Sequence, residues 1–197
     1  MGTPRVPHLT VEEAKDAAAQ VGIAEMKAGL SMYRILLRHP QLAKRVNDMM
    51  ETLSTDSEFD ARLRELIIMR LAWMNNGEYE WSLHWLVAPG TGLEERDMRA
   101  ARNWTEHDHW SDSERVVLRA TDEVLASGVI SKSTWTECAK HLPSHRDQLD
   151  LLAIILNWKM VSDLLKTLEV PLDEGIPSWP PEGLSPETAA TQEGALA

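Results

Sequence analysis

The sequence predicts an all-α protein, and three observations carry that expectation. Only ten glycines and ten prolines fall in 197 residues, which leaves long stretches free to run as helices of a dozen residues or more. Apolar residues recur at steps of three and four, the period of a helix face. Ser and Thr residues sit in front of several of these stretches, some with an acid three residues on, the pattern of a capped helix start.

Taken in order, a Pro-bearing arm leads to Thr10-Val11-Glu12-Glu13, where Thr10 caps and Glu13 reciprocates. Helical spacing continues through Met32, Ile35 and Leu36 and stops at His39-Pro40. A further helix from about Gln41 to Leu53 presents Leu42, Val46, Met49, Met50 and Leu53. The stretch from Phe59 to Met74, with "LRELIIMRLAWM" inside it, is apolar almost all round, as expected of a helix in the middle of a bundle. Glu65 is its exception. At about 100° per residue it shares a face with Ile68, Met69, Ala72 and Asn76, so its carboxylate is expected to be desolvated or paired.

Asn75-Asn76-Gly77 breaks that helix, since Asn and Gly tolerate a left-handed backbone. A new helix is expected from about Glu78 to Ala88, ended by Pro89-Gly90. "LEERDMRAARNW" forms a short amphipathic helix, and Ser111 with Glu114 is a capping box for the next, closed by Gly128. Ser131 or Ser133 opens a helix through Trp135 and Cys138, and Arg146 to Leu168 forms a long last one. One domain is expected over residues 1–182. The remainder, 183–197, is rich in Pro, Gly, Ser, Thr and Glu and is expected to be a disordered tail.

Composition narrows the function. A net charge of −11 repels phosphate backbones, and no basic cluster with interleaved aromatics is present, so nucleic acid is not an expected partner. One cysteine, Cys138, allows neither an internal disulfide nor a Cys-x-x-Cys redox pair, which points to a reduced, cytoplasmic compartment. The first residues lack a signal-peptide core and no apolar run is long enough for a membrane span, so no membrane is expected. Eight tryptophans suit cores, subunit interfaces and ligand pockets.

The chemistry concentrates in "NNGEYEWSLH", residues 75–84. Glu80 and His84 lie four apart on one face of a helix, within reach of each other, and on the side expected to face inward. The bland alternatives are a surface ion pair for Glu80 and His84, and a buried salt bridge for Glu65. Glu65, Glu80 and His84 as a metal set, and His107-Asp108-His109 as another, are thin in ligand number, and no metal is expected. Cys138 reads as a small packing residue.

"RELIIMRLAWMNNGEYEWSLH" resembles the carboxymuconolactone decarboxylase and alkylhydroperoxidase D-like superfamily, whose motif places a helix Glu about nineteen residues before a His. The likeness extends through "MYRILLRHPQL", "RATDEVLASGVISKSTW" and "VSDLLKTLEVPLDEG", roughly residues 30 to 175. By that resemblance Glu65 and His84 are the motif Glu and His, while Gly77 and Glu80 stand where redox members carry their cysteine pair. Thiol chemistry is thereby excluded at the motif, since neither position offers a thiolate.

The resemblance implies an all-helical bundle that assembles as a homotrimer or a dimer of trimers and works without a cofactor. The expected activity is a lyase of the decarboxylase type, or an isomerase, acting on a small cyclic or enolisable carboxylic or carbonyl compound. His84 is expected to move the proton, Glu80 to orient it and Glu65 to serve as a second acid or to anchor the imidazole, all three converging on one hollow. Asn76, Tyr79, Trp81 and Trp85 are expected to bind the substrate. Arg62, Arg64, Arg70, Arg99 and Arg102 are the cations available for a substrate carboxylate. The alternatives are a hydrolase in which His84 activates water, and a non-catalytic helical oligomer that binds a small molecule or a partner.

Overall fold

The computed structural model describes residues 3–196 of the chain, with side chains as far as residue 191. Ten α-helices, joined by turns and short 3₁₀ segments, account for the architecture, and no strand occurs among the described residues. They are α1 (Val11–Val21), α2 (Ser31–Leu36), α3 (Pro40–Ser54), α4 (Ala61–Met74) and α5 (Glu78–Val87). There follow α6 (Glu95–Ala100), α7 (Asp112–Ser127), α8 (Lys132–His141), α9 (His145–Leu168) and α10 (Pro186–Leu196).

The starts are where the capping residues put them. Thr10 and Ser111 each form a complete capping box, with Glu13 and Glu114. Asp60, Ser131 and Ser144 accept from the third backbone N–H of α4, α8 and α9, satisfying donors that a helix start otherwise leaves bare. Gly128 ends α7 in the left-handed region at φ 81°.

Helix α4 occupies the centre. Every side chain from Leu63 to Trp73 is buried, because this helix contributes to two of the three apolar clusters of the core. With α7, α8 and α9 it forms one cluster through Ile67, Ile68 and Leu71. Leu66, Met69 and Trp73 enter a second, tryptophan-rich cluster against α5 and α6. A third cluster packs α1, α2 and α3 against Tyr79, Val161 and Leu165. Ion pairs fasten the centre to its neighbours: Arg70 grips Asp122 of α7 through two nitrogens at 2.6 and 2.9 Å, and Arg62 meets Asp97 at 2.9 Å and Glu114 at 2.8 Å.

The break between α4 and α5 divides its work among three residues. Asn76 alone takes the left-handed backbone, at φ 50°. Gly77, at φ −93°, is needed for closeness instead: a Cβ there would stand 2.5 Å from Ser162 Oγ of α9. Asn75 Nδ2 donates to the same hydroxyl at 2.9 Å. Of the Asn and Gly residues expected to tolerate a left-handed backbone here, it is Asn76 that adopts it.

The C-terminal segment differs from its composition. Trp179 is buried in the tryptophan cluster, its N–H donates to Ser82 Oγ at 3.2 Å, and Trp81 Nε1 donates to the Pro180 carbonyl at 2.8 Å. "PSWPPEG" therefore docks on α5 of its own chain. Beyond it, where disorder is expected, the structure has α10, started by a Ser185–Thr188 hydrogen bond and touched by Asn76, whose Nδ2 donates to Glu187 at 2.8 Å. Ala197, the end of the expected tail, lies outside the described residues, as do residues 1–2 of the N-terminal arm.

Candidate active site

Two neighbouring helices bring the predicted acid and base together. Glu65 projects from the buried centre of α4, and His84 from the last turn of α5. Glu65 Oε2 and His84 Nδ1 are 2.6 Å apart, with the side chains only 4% and 13% exposed. On the far side of the ring, Trp158 Nε1–H of α9 donates to His84 Nε2 at 3.3 Å. A ring nitrogen that accepts carries no proton, so these partners assign the hydrogen to Nδ1, from which it is donated to Glu65.

Burial and charge then work against each other. Burial raises the Glu65 carboxyl, but the charge and hydrogen bond of His84, with help from Arg64, hold it below the usual carboxylate range. Burial likewise lowers His84, and the charge and hydrogen bond of Glu65 outweigh it, so the imidazole lies above its ordinary value. Arg64, itself buried, places Nε 3.5 Å from Glu65 Oε1. Mutual attraction thus favours the charged form of the pair, against which burial and the Trp158 donor at Nε2 both work.

Glu80 differs. It is 4% exposed, and no other described residue hydrogen-bonds its carboxylate. Burial pushes its carboxyl up to about 7, with the charges of His84 and Lys166 offsetting only part of the effect. The expectation that Glu80 orients His84 is therefore corrected: that contact belongs to Glu65. An imidazole turns to the acceptor that lies in line with Nδ1, and here it lies on the adjacent helix, not one turn back on its own.

The expected substrate-binding residues do not gather around the histidine. Asn76 bonds Glu187, as above. Tyr79 is buried, with its hydroxyl donating to Asp173 Oδ2 at 2.6 Å. Trp81 is wholly buried, 5.2 Å from Trp73 and 5.6 Å from Trp85 between ring centroids, and half-buried Trp85 packs on that cluster. Tyr79, Trp81 and Trp85 do structural work because the inward face of α5 is spent on the core, whereas Asn76, ahead of α5, fastens α10. Of the five arginines, Arg62 and Arg70 are committed to the ion pairs described above, Arg64 stands by Glu65, and Arg99 and Arg102 lie on another pocket. Two cavities of about 750 and 490 Å³ are lined by neither Glu65, Glu80 nor His84, so the expected common hollow is not either of them. Sequence reasoning missed Trp158, for which spacing along the chain gives no signal.

Cys138 is fully buried and its thiol is pushed up to about 11, first by burial and then by Glu123, in keeping with packing. His109 pairs with Asp97 at 3.2 Å, and among the described residues no group of three or more His, Cys, Asp or Glu side chains is placed to hold a metal. No described helix is long and apolar enough to cross a membrane.

Glu65 and His84 both fall within residues 40–123, which match the sequence model of the carboxymuconolactone decarboxylase family. Over that segment the chain is similar to this family. Solved structures agree on the fold. An uncharacterized peroxidase-related protein from Ralstonia eutropha JMP134, described as an alkylhydroperoxidase AhpD core, aligns with TM-score 0.70 at 14% identity, over 88% of this chain and 94% of that one. A peroxidase-related protein from Silicibacter sp. TM1040 gives 0.67 at 14%, over 89% and 92%. The debrominase Bmp8, in complex with 2,3,4-tribromopyrrole, gives 0.69 at 18%, over 86% and 91%. No curated protein matches the chain. The matched segment thus spans α3 to most of α7 and includes the whole Glu65–Glu80–His84 group, within an AhpD-like helical fold.

Proposed function

We propose that this protein is a cofactor-independent lyase of the decarboxylase type, or an isomerase, acting on a small cyclic or enolisable carboxylic or carbonyl compound. The observation that carries the reading is the buried Glu65–His84 hydrogen bond of 2.6 Å with a carboxyl that titrates near 7, Glu80, beside it. A base and an acid held ready at the same pH are what proton transfer at carbon requires.

In this reading Glu65 takes the anchoring role, one of the two expected of it, and Glu80 becomes the second acid. Glu65 holds Nδ1 of His84 and stabilises the imidazolium, while Nε2 takes a proton from carbon next to the substrate carbonyl once the substrate displaces the Trp158 N–H. The electron pair moves onto the carbonyl oxygen, and Glu80 returns a proton to the resulting enolate. In a decarboxylation the pair comes instead from the breaking bond to the carboxylate, CO₂ leaves, and Glu80 protonates the carbon. The substrate's own carbonyl is the electron sink, so the chemistry asks for no cofactor. General acid and base each contribute roughly 10²- to 10⁴-fold.

A neighbour of the same fold that holds 2,3,4-tribromopyrrole supports a small ring as the kind of substrate this architecture admits. The absence of cysteine at 77 and 80 favours proton over thiol chemistry. Assembly with further copies of the chain is proposed too, supported by exposed Met49, Leu156 and Met160 around the 490 Å³ groove between α3 and α9. Light scattering of the purified chain tests that part. A cytoplasmic location is in keeping with the single buried thiol.

The test is deuterium uptake from D₂O at carbon adjacent to the carbonyl, followed by NMR across a panel of small lactones and β-keto acids, with CO₂ release measured in parallel. His84→Gln should lower the rate at least about a hundredfold with helicity intact. Exchange no faster than in buffer across the panel removes the proposal, and solvent ¹⁸O entering product without exchange at carbon turns it to the hydrolase.

A further inference from the structure

The 750 Å³ cavity lies outside the group just described, and its volume falls in the range of small-molecule sites. Arg96 and Arg99 of α6 and Arg102 just after it line one wall, Trp73 contributes an aromatic face, and Leu184 and Ala189 close the other side. The wall combines cations with apolar surface in a chain whose net charge is −11.

The three arginines are not equally occupied. Arg96 reaches Glu94 at 3.2 Å and Asp97 at 3.5 Å, and Arg99 reaches Glu95 at 2.8 Å. Arg102 has a single carboxylate partner, Glu182, met through Nη2 alone at 3.1 Å, and the same nitrogen donates to the Pro180 carbonyl at 3.3 Å. Its Nε is buried without any partner. The side chain is 13% exposed, and its guanidinium carbon stands 4.8 Å over Trp73 and 5.1 Å over Trp81. Burial, and then the neighbouring Arg99, bring Arg102 down to about 10, as expected of a cation whose charge is under-compensated. Glu106 also lines the cavity, but its carboxylate accepts from Asn103 at 2.6 Å. His109 is turned to Asp97, and His107 Nε2 contacts Asn103 Oδ1 at 3.2 Å.

A guanidinium presents Nε and Nη2 side by side, spaced for the two oxygens of one carboxylate. Glu182 uses half of that edge and is itself 43% exposed while also bridging Arg99. We propose that this cavity binds a small carboxylate on an apolar ring, paired edge-on to Arg102 with the ring against Trp73, and that Glu182 is an internal competitor the ligand displaces. The site is independent of the Glu65–His84 chemistry.

Calorimetric titration of the full chain with benzoate at low ionic strength tests this, with neutral benzamide as control. Benzoate should bind one to one, roughly tenfold or more tighter than benzamide. Glu182→Gln should tighten benzoate roughly three- to tenfold by removing the competitor, and Arg102→Gln should weaken it at least tenfold. Circular dichroism accompanies each variant, and should Arg102→Gln lose helicity, the Glu182 and benzamide results decide alone. His84→Gln should leave binding unchanged. No benzoate binding at 10 mM, no preference over benzamide, no gain in Glu182→Gln, or loss in His84→Gln would each overturn the site.

Discussion

Trp158 Nε1 faces His84 Nε2 across 3.3 Å, from a position 74 residues further along the chain. The contact satisfies the neutral form of the ring and opposes the charged one, since two N–H groups would otherwise meet. Trp158→Phe keeps the aromatic bulk and deletes the donor. The histidine's titration, read by NMR of the ring protons, should move upward. An unchanged titration would show that the indole merely packs.

Glu65 acts in the opposite sense. Its carboxylate is the chief reason that the buried imidazole lies above its ordinary value, so Glu65→Gln should bring His84 down, and the Nδ1 proton signal should shift upfield as the hydrogen bond lengthens. Proton exchange at substrate carbon should fall roughly a hundredfold or more. Glu80→Gln should lower the histidine less than Glu65→Gln does, since its charge is the smaller contribution, while abolishing the alkaline limb of the rate profile.

Stability carries a separate signature of Glu80. Its folded carboxyl is raised from 4.5 to about 7, so below 4.5 it is neutral in folded and unfolded chains alike. Between those values the unfolded chain ionises first, and stability falls as pH rises through that window, flattening above it. Glu80→Gln should stabilise the protein at pH 8 by roughly 1–3 kcal/mol and not at pH 4. Urea unfolding at the two pH values measures this, and equal gains at both would remove the assignment.

Gly77→Ala places a Cβ where Ser162 Oγ stands, 2.5 Å away. The expected cost is about 1–3 kcal/mol from overpacking. Ser162→Ala in the same chain should recover much of it, though Asn75 then loses an acceptor. A double variant no more stable than Gly77→Ala alone would place the strain elsewhere.

Much of the fold was legible because its signals are local. Thr10 and Ser111 announce helix starts through their own acids three residues on, and α4 announces its central place by being apolar on every side. The site was legible in membership more than in roles. The i,i+4 rule pairs Glu80 with His84, yet it is a rule for exposed helix faces, and α5 is flanked by α4 on one side and α9 on the other, either of which can offer a better acceptor or donor. Tyr79 and Trp81 were misplaced for a related reason: a tyrosine and a tryptophan on an inward face suit a pocket and a core equally, and only the position of Asp173 and Pro180 decides between them. Trp158 depends on the register of a helix far along the chain, which periodicity does not encode.

A helix enclosed on all sides has no boundary along which to fray. Because α4 belongs to two of the three apolar clusters at once, exposing its amides to solvent requires opening both, and their hydrogen exchange should report global unfolding. Glu65 is therefore anchored to the slowest-opening part of the protein, whereas the Arg102 cavity, roofed in part by the C-terminal segment, can breathe on a time scale of its own.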